Sequence, residues 1–234
     1  MLDQAFDALK KFDWGTSLSE VSGIEDAVVA SHTDAALRKD LEQRLVAAIS
    51  TDISRDAKDF VCRKLAIVGS AAAVPILVGL LTQEANAHLA RHALERISGP
   101  EAAAALKDAL SKTSGKLKIG VIGSLGARRE VSAVPALAAL LQDTDAAIVR
   151  SATLALAAIG GAEATRVLTT AVGVAGGDKA LVIDALLSCA ESLLASQKTA
   201  DAAAIYKSLS GEQQPRLIRL AATRGLLACQ SKQA

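Results

Sequence analysis

Four leucines, Leu77, Leu106, Leu137 and Leu168, recur at intervals of 29, 31 and 31 residues. Each lies in a look-alike apolar segment that follows a turn: Val74-Pro75-Ile76-Leu77-Val78-Gly79-Leu80-Leu81, Ala103-Ala104-Ala105-Leu106-Lys107-Asp108-Ala109-Leu110, Val134-Pro135-Ala136-Leu137-Ala138-Ala139-Leu140-Leu141 and Thr165-Arg166-Val167-Leu168-Thr169-Thr170-Ala171-Val172. A unit of about thirty residues cannot bury its own apolar face, so copies must stack on one another, and the period marks a repeat array.

A second amphipathic stretch precedes each segment, anchored at Leu65, Leu94, Ile122 and Leu156. The step from each anchor to the following leucine is 12, 12, 15 and 12 residues. The long step has a visible cause: the third turn reads Leu125-Gly126-Ala127-Arg128-Arg129-Glu130, three residues longer than its counterparts. Apolar residues recur at three- and four-residue steps, as in Leu89, Ala93, Leu94 and Ile97, so both stretches are helices rather than strands. Alanine and leucine, which dominate, lose little side-chain entropy in a helix. Gly69, Gly99, Gly126 and Gly160 are placed to end helices in the left-handed conformation, and Pro75, Pro100 and Pro135 to begin the next ones. Ser98 with Glu101 fits a capping box. The expected fold is all-α, an α-solenoid of about 13–14 helices in pairs.

The stretch Asp143-Thr144-Asp145-Ala146-Ala147-Ile148-Val149-Arg150-Ser151-Ala152-Thr153-Leu154-Ala155-Leu156-Ala157-Ala158-Ile159-Gly160 resembles the second helix of a HEAT repeat of the phycobilisome-lyase-like type. That type favours an Asp-containing turn, Val-Arg, a run of alanines and a closing Ile-Gly or Leu-Gly. The resemblance covers about residues 55–175. The third copy, Lys116 to Gly126, departs from it with Lys-Ile-Gly-Val where alanines are usual, which predicts a short or irregular helix. Residues 1–54 hold three more amphipathic stretches, Leu2–Phe12, Leu18–Ser31 and Thr33–Ile49, with Trp14, the one tryptophan, and read as an N-terminal helical cap. Residues 176–234, opening on the Gly176-Gly177 turn, carry longer helices, among which Thr199–Leu209 resembles the second helix of a tetratricopeptide unit. The expected organisation is one elongated repeat domain, with disorder confined to Gln230–Ala234.

The uncharged run Leu65–Gln83 has the length of a membrane span, but Gly69-Ser70-Ala71 and Pro75 break it at a repeat turn. Without a visible signal peptide, the cytoplasm is the expected compartment. Cys62, Cys189 and Cys229 have no metal or redox spacing; Cys62 and Cys189 read as buried thiols and Cys229, near the tail, as a more exposed one.

His88 and His92 stand four residues apart on one helix near Glu84 and Glu95, a spacing that can hold a metal, yet two ligands do not make a site. A solvated face is the simpler reading. Deoxyhypusine hydroxylases, which are HEAT-like enzymes, hold iron through His-Glu pairs, and no His-Glu dipeptide occurs here. No catalytic triad or phosphate loop can be assembled. No cofactor is implied.

Charge is uneven. Residues 1–54 carry 5 Lys or Arg against 10 Asp or Glu, and residues 55–130 carry 12 against 7. Arg63, Lys64, Arg91, Arg96, Lys118 and Arg150 fall on second helices, and Arg128 and Arg129 in the inserted turn. In HEAT arrays the second helix lines the concave face, so the resemblance implies a candidate basic surface for a protein or peptide partner of acidic character. A structural ladder, such as Arg150 with Asp143 or Asp145, is the competing reading. The sequence points to a non-catalytic protein-interaction scaffold. The alternatives are an accessory module of an enzyme or electron-transfer protein, as tetrapyrrole-handling relatives of the type imply, and, third, nucleic-acid backbone binding, which the shortage of aromatic residues disfavours. Partner identity and oligomeric state stay open.

Overall fold

The computed structural model describes residues 1–173 and 178–231. The expected turn at Gly176-Gly177 and the tail after Ser231 lie outside the described residues. The chain forms two compact units, Met1–Ser124 and Leu125–Ala234. In chain order the α-helices of the first are α1 (Leu2–Leu9), α2 (Ser22–Ala30), α3 (Ala35–Ile49), α4 (Arg55–Val68), α5 (Val74–Leu80), α6 (Ala87–Arg96) and α7 (Pro100–Lys112), followed by α8 (Gly115–Ala127), within which the division falls. The second continues with α9 (Val134–Ala139), α10 (Ala146–Ile159), α11 (Gly161–Val172), α12 (Lys179–Ala195), α13 (Thr199–Leu209) and α14 (Arg216–Ser231). No strand occurs among the described residues, and the fold is all-α.

The repeat period becomes a core. Leu77, Leu106, Leu137 and Leu168 are fully buried, and so are their anchors Leu65, Leu94, Ile122 and Leu156. Within each unit like helices neighbour like: α4 packs on α6 and α5 on α7 in the first, α10 on α12, α12 on α14 and α9 on α11 in the second. Each buried leucine contributes about 1.5–3 kcal/mol of transfer free energy, and alanines such as Ala90, Ala93, Ala152 and Ala155 let adjacent helices come close.

Helix starts follow the expected chemistry. Pro75, Pro100 and Pro135 sit in the first turns of α5, α7 and α9. Asp34, Ser54, Asp145 and Asp178 accept backbone N–H groups at the starts of α3, α4, α10 and α12. The Ser98–Glu101 capping box does not form: α7 starts one residue later, with Gly99 (φ 107°) at its N-cap and no side-chain cap.

The glycines divide by function. Gly99 and Gly160 adopt positive φ. Gly69 instead is extended, and a Cβ there would run into the Leu65 carbonyl, so it serves close approach. Gly126 lies inside α8, where a Cβ would come within 2.9 Å of the Ala155 Cα. That contact also corrects the expectation for the third copy. Its helix α8 is a regular 13 residues, because Gly120 and Gly126 provide room where partners press in, the guanidinium of Arg91 at the first and the backbone of α10 at the second.

The three-residue insertion is the C-terminal cap of α8. Glu130 N–H bonds the Leu125 carbonyl at 3.0 Å and Arg129 N–H the Gly126 carbonyl at 2.9 Å, with Arg129 in the left-handed region (φ 52°) that usually takes glycine. Glu130 then accepts from Ser132 N–H and opens the next turn. Gln197 (φ 61°) closes α12 by the same bond pair, Lys198 to Leu193 and Gln197 to Leu194.

One polar clamp was not legible beforehand. From α3, Arg38 donates to the Ile67 and Val68 carbonyls at the end of α4, while buried Glu42 accepts from the Ser70 N–H at 2.6 Å and from its hydroxyl. A cation meets the negative end of one helix and a carboxylate the start of the next turn. Two expectations at the C-terminus change. Gln230 and Ser231 continue α14, and Cys229 is buried on its inward face rather than exposed.

The anchor assignment predicts a sharp contrast between identical truncations. Leu168→Ala should cost about 2–5 kcal/mol, whereas Leu154→Ala, at a half-exposed position of α10, should cost less than about 1 kcal/mol. Urea unfolding followed by far-UV circular dichroism measures both; equal midpoints would refute the assignment.

Candidate interaction surface

The segment joining α1 to α2 folds as a tight turn. Thr16 N–H returns to the Asp13 carbonyl at 2.9 Å, and Gly15, at the third position, takes the positive φ of 85° that a type II turn demands there. Phe12, just before it, is buried against Phe60 of α4, with ring centroids 5.8 Å apart, and Ser54, the N-cap of α4, donates to the Phe12 carbonyl at 2.6 Å. The turn is therefore fastened at its base. Its second residue, Trp14, points into solvent with 90% of its surface exposed, and Leu18 beside it is 59% exposed.

Beneath them opens a cavity of about 450 Å³, walled by Phe12 and Phe60 and by charged side chains of α2 and α4. Two candidate residues lie here, Arg63 and Lys64. Both are engaged: Arg63 donates to Asp59 at 2.8 Å, and Lys64 donates to Glu25 at 2.6 Å while lying 4.7 Å from the Phe60 ring centroid. With these pairs neutralised, Asp13 and Asp56 remain on the wall, the latter 3.8 Å from the exposed Arg55 guanidinium. The wall is net acidic rather than basic, so the acidic partner expected from the charge count does not suit this surface.

The other candidates are scattered. In the first unit, Arg91 of α6 lies across Gly120 of α8 with its Nε buried and without a hydrogen-bond partner; burial pulls its guanidinium below the ordinary arginine range, against the nearby charge of Glu95. Arg96 is exposed and Lys118 half-buried. In the second unit, Arg128 is half-buried, Arg129 is exposed in its left-handed cap position, and Arg150 is exposed on α10. The anticipated ladder with Asp143 and Asp145 does not form, because both aspartates bind backbone N–H groups at the start of α10. Trp14 carried a signal, as an isolated tryptophan near turn residues, but its outward direction is set by the folded turn and not by the residue type.

His88 and His92 are both exposed on α6, and His88 Nε2 lies 3.4 Å from the Arg55 guanidinium, a cation. Among the described residues no three His, Cys, Asp or Glu side chains are grouped to hold a metal ion. None of the described helices is long and apolar enough to cross a membrane; the run Leu65–Gln83 is divided between α4, a 3-10 turn at Ala71–Ala73 and α5.

A family model for HEAT repeats matches residues 103–187, the stretch from α7 into α12. No curated protein matches the chain. Among solved structures, the archaeal HEAT-like repeats protein from Thermococcus onnurineus NA1 is 13% identical, with 99% of this chain and 97% of that one covered and a TM-score of 0.50. An engineered protein is 20% identical over 91% of this chain and 59% of its own length, at a TM-score of 0.42; this chain thus spans 59% of that protein. Human deoxyhypusine hydroxylase, 15% identical, is covered over 97% of its length and 98% of this chain, at a TM-score of 0.36. The archaeal protein shows the fold alone: HEAT-like helix pairs of the α-solenoid class.

The thiols give a direct test of helix packing beside the cavity. Burial, and then the charge of Asp59, push the Cys62 thiol up to about 12, and burial also raises Cys189. At pH 8 a thiol of that pKa is only about one part in ten thousand thiolate. Cys62, Cys189 and Cys229, all buried, should resist alkylation at pH 8 in the native protein, and all three should react in urea. Mass-spectrometric counting of labels decides it; rapid native labelling of Cys62 would refute its burial.

Proposed function

We propose that this chain, whose residues 103–187 carry HEAT repeats, is a non-catalytic scaffold that holds a segment of a partner protein, with the Trp14 turn and the α4 face as one recognition surface. The supporting observation is Trp14 itself. An indole left almost wholly in water on a fastened turn is costly to keep, and tryptophan dominates the energetics of protein interfaces. A rigid anchor also loses little conformational entropy on binding.

The chemistry of the wall specifies the occupant. Trp14 and Leu18 take an aliphatic or aromatic side chain, and Asp13 and Asp56 take a neighbouring lysine or arginine. Arg63 and Lys64 act here by holding Asp59 and Glu25 in place rather than by meeting an acidic partner. A nucleic-acid backbone is disfavoured at this surface, since phosphates would approach an excess of carboxylates.

Because Trp14 is the one tryptophan in the chain, its fluorescence reports the site without a label. Short peptides pairing leucine with arginine should shift its emission to the blue in a saturable way, and matched peptides with glutamate should not. Asp56→Asn should weaken the arginine peptides about tenfold, equivalent to about 1.4 kcal/mol. Emission unmoved by any peptide of either class would overturn the reading.

A further inference from the structure

The last helix, α14, is apolar on two opposite faces. Its inward face, Ala222, Gly225 and Cys229, is buried, and the ring of Tyr206 from α13 lies flat on Gly225, where a Cβ would strike it. On the other side Leu217, Leu220 and Leu227 are 78%, 56% and 62% exposed. With Arg224, which is also exposed, they follow a 3-4-3 spacing, Leu217, Leu220, Arg224, Leu227, that sets all four on one stripe. A helix with apolar residues around its girth belongs between two layers, and here one layer is present.

Charge narrows what can cover the stripe. The helix carries three arginines, Arg216, Arg219 and Arg224, and no Asp or Glu. None of the three makes an ion pair among the described residues, and the Nε of Arg219 is buried without a hydrogen-bond partner. A second copy of this helix would set arginines against arginines with no carboxylate of its own to relieve them. We infer that the Leu217–Leu220–Leu227 stripe is a docking face for an amphipathic helix of a partner protein, with leucines at the matching spacing flanked by Asp or Glu residues that meet Arg216 and Arg224. The stripe is a coiled-coil-like seam with a cation in one core-facing slot, and a carboxylate opposite that slot sets the register. This face lies in the second unit and is independent of the Trp14 surface.

The probes are two labelled helical peptides of identical leucine spacing, one with glutamates and one with lysines at the flanking positions, titrated into the full chain and read by fluorescence anisotropy. The glutamate peptide should bind at least tenfold more tightly than the lysine peptide. Leu220→Gln and Leu227→Gln should each weaken it about tenfold while far-UV circular dichroism keeps its native shape, since both positions are exposed. Arg224→Glu should reverse the peptide preference, and Trp14→Ala should leave it unchanged, which separates this face from the first site. Equal or absent binding of the two peptides would overturn the inference. So would self-association in sedimentation velocity that Leu220→Gln abolishes, which would identify a second copy as the occupant, or vesicle binding that requires phosphatidylserine and the same leucines with no peptide preference, which would identify a lipid surface.

Discussion

The rest of the structure depends on one repeated feature, the burial of a leucine on each first helix and of an anchor on each second helix. Leu77, Leu106, Leu137 and Leu168 with Leu65, Leu94, Ile122 and Leu156 are all shielded from water. The chain has few aromatic residues, so the layers between helices are thin and filled mostly by leucine and alanine. Thin layers make glycine decisive where helices come closest, and Gly126 and Gly120 are the places where any larger residue would displace α10 or the Arg91 guanidinium.

Because alanine-rich cores supply little area per residue, the turns are secured by polar contacts. Arg38 and Glu42, one turn apart on α3, satisfy both sides of the break between α4 and α5. Ser124 of α8 similarly donates to Glu95 of α6 at 2.6 Å. These are charged groups used inside the scaffold, and they explain why counting charges along the chain overstates what is available to a partner. Of the cations on the second helices, Arg63 and Lys64 are held by carboxylates and Arg91 is folded onto a neighbouring helix.

Two surfaces stand out among the described residues. One displays an aromatic residue on a fastened turn above a net acidic wall. The other displays leucines and unpaired arginines on α14. Their charge character is opposite, carboxylates outnumbering cations at the first and arginines standing without carboxylates on the second.

The sequence by itself determined the helix pairs, their starts at proline, the buried leucine at each period and the exceptional turn after Gly126. These are properties of local spacing, and a period of 29 to 31 residues admits few other solutions. The tertiary structure alone decided which charges are spent internally, that Gly69 and Gly126 serve close approach instead of positive φ, that Arg129 takes the left-handed position, and that Cys229 faces inward. It also decided that Trp14 faces outward, on a turn fastened to α4 through Phe12. The physical reason is common to all of these. Burial of an anchor depends on residues a few positions away, whereas the fate of an exposed side chain depends on what another helix, distant in sequence, brings opposite it.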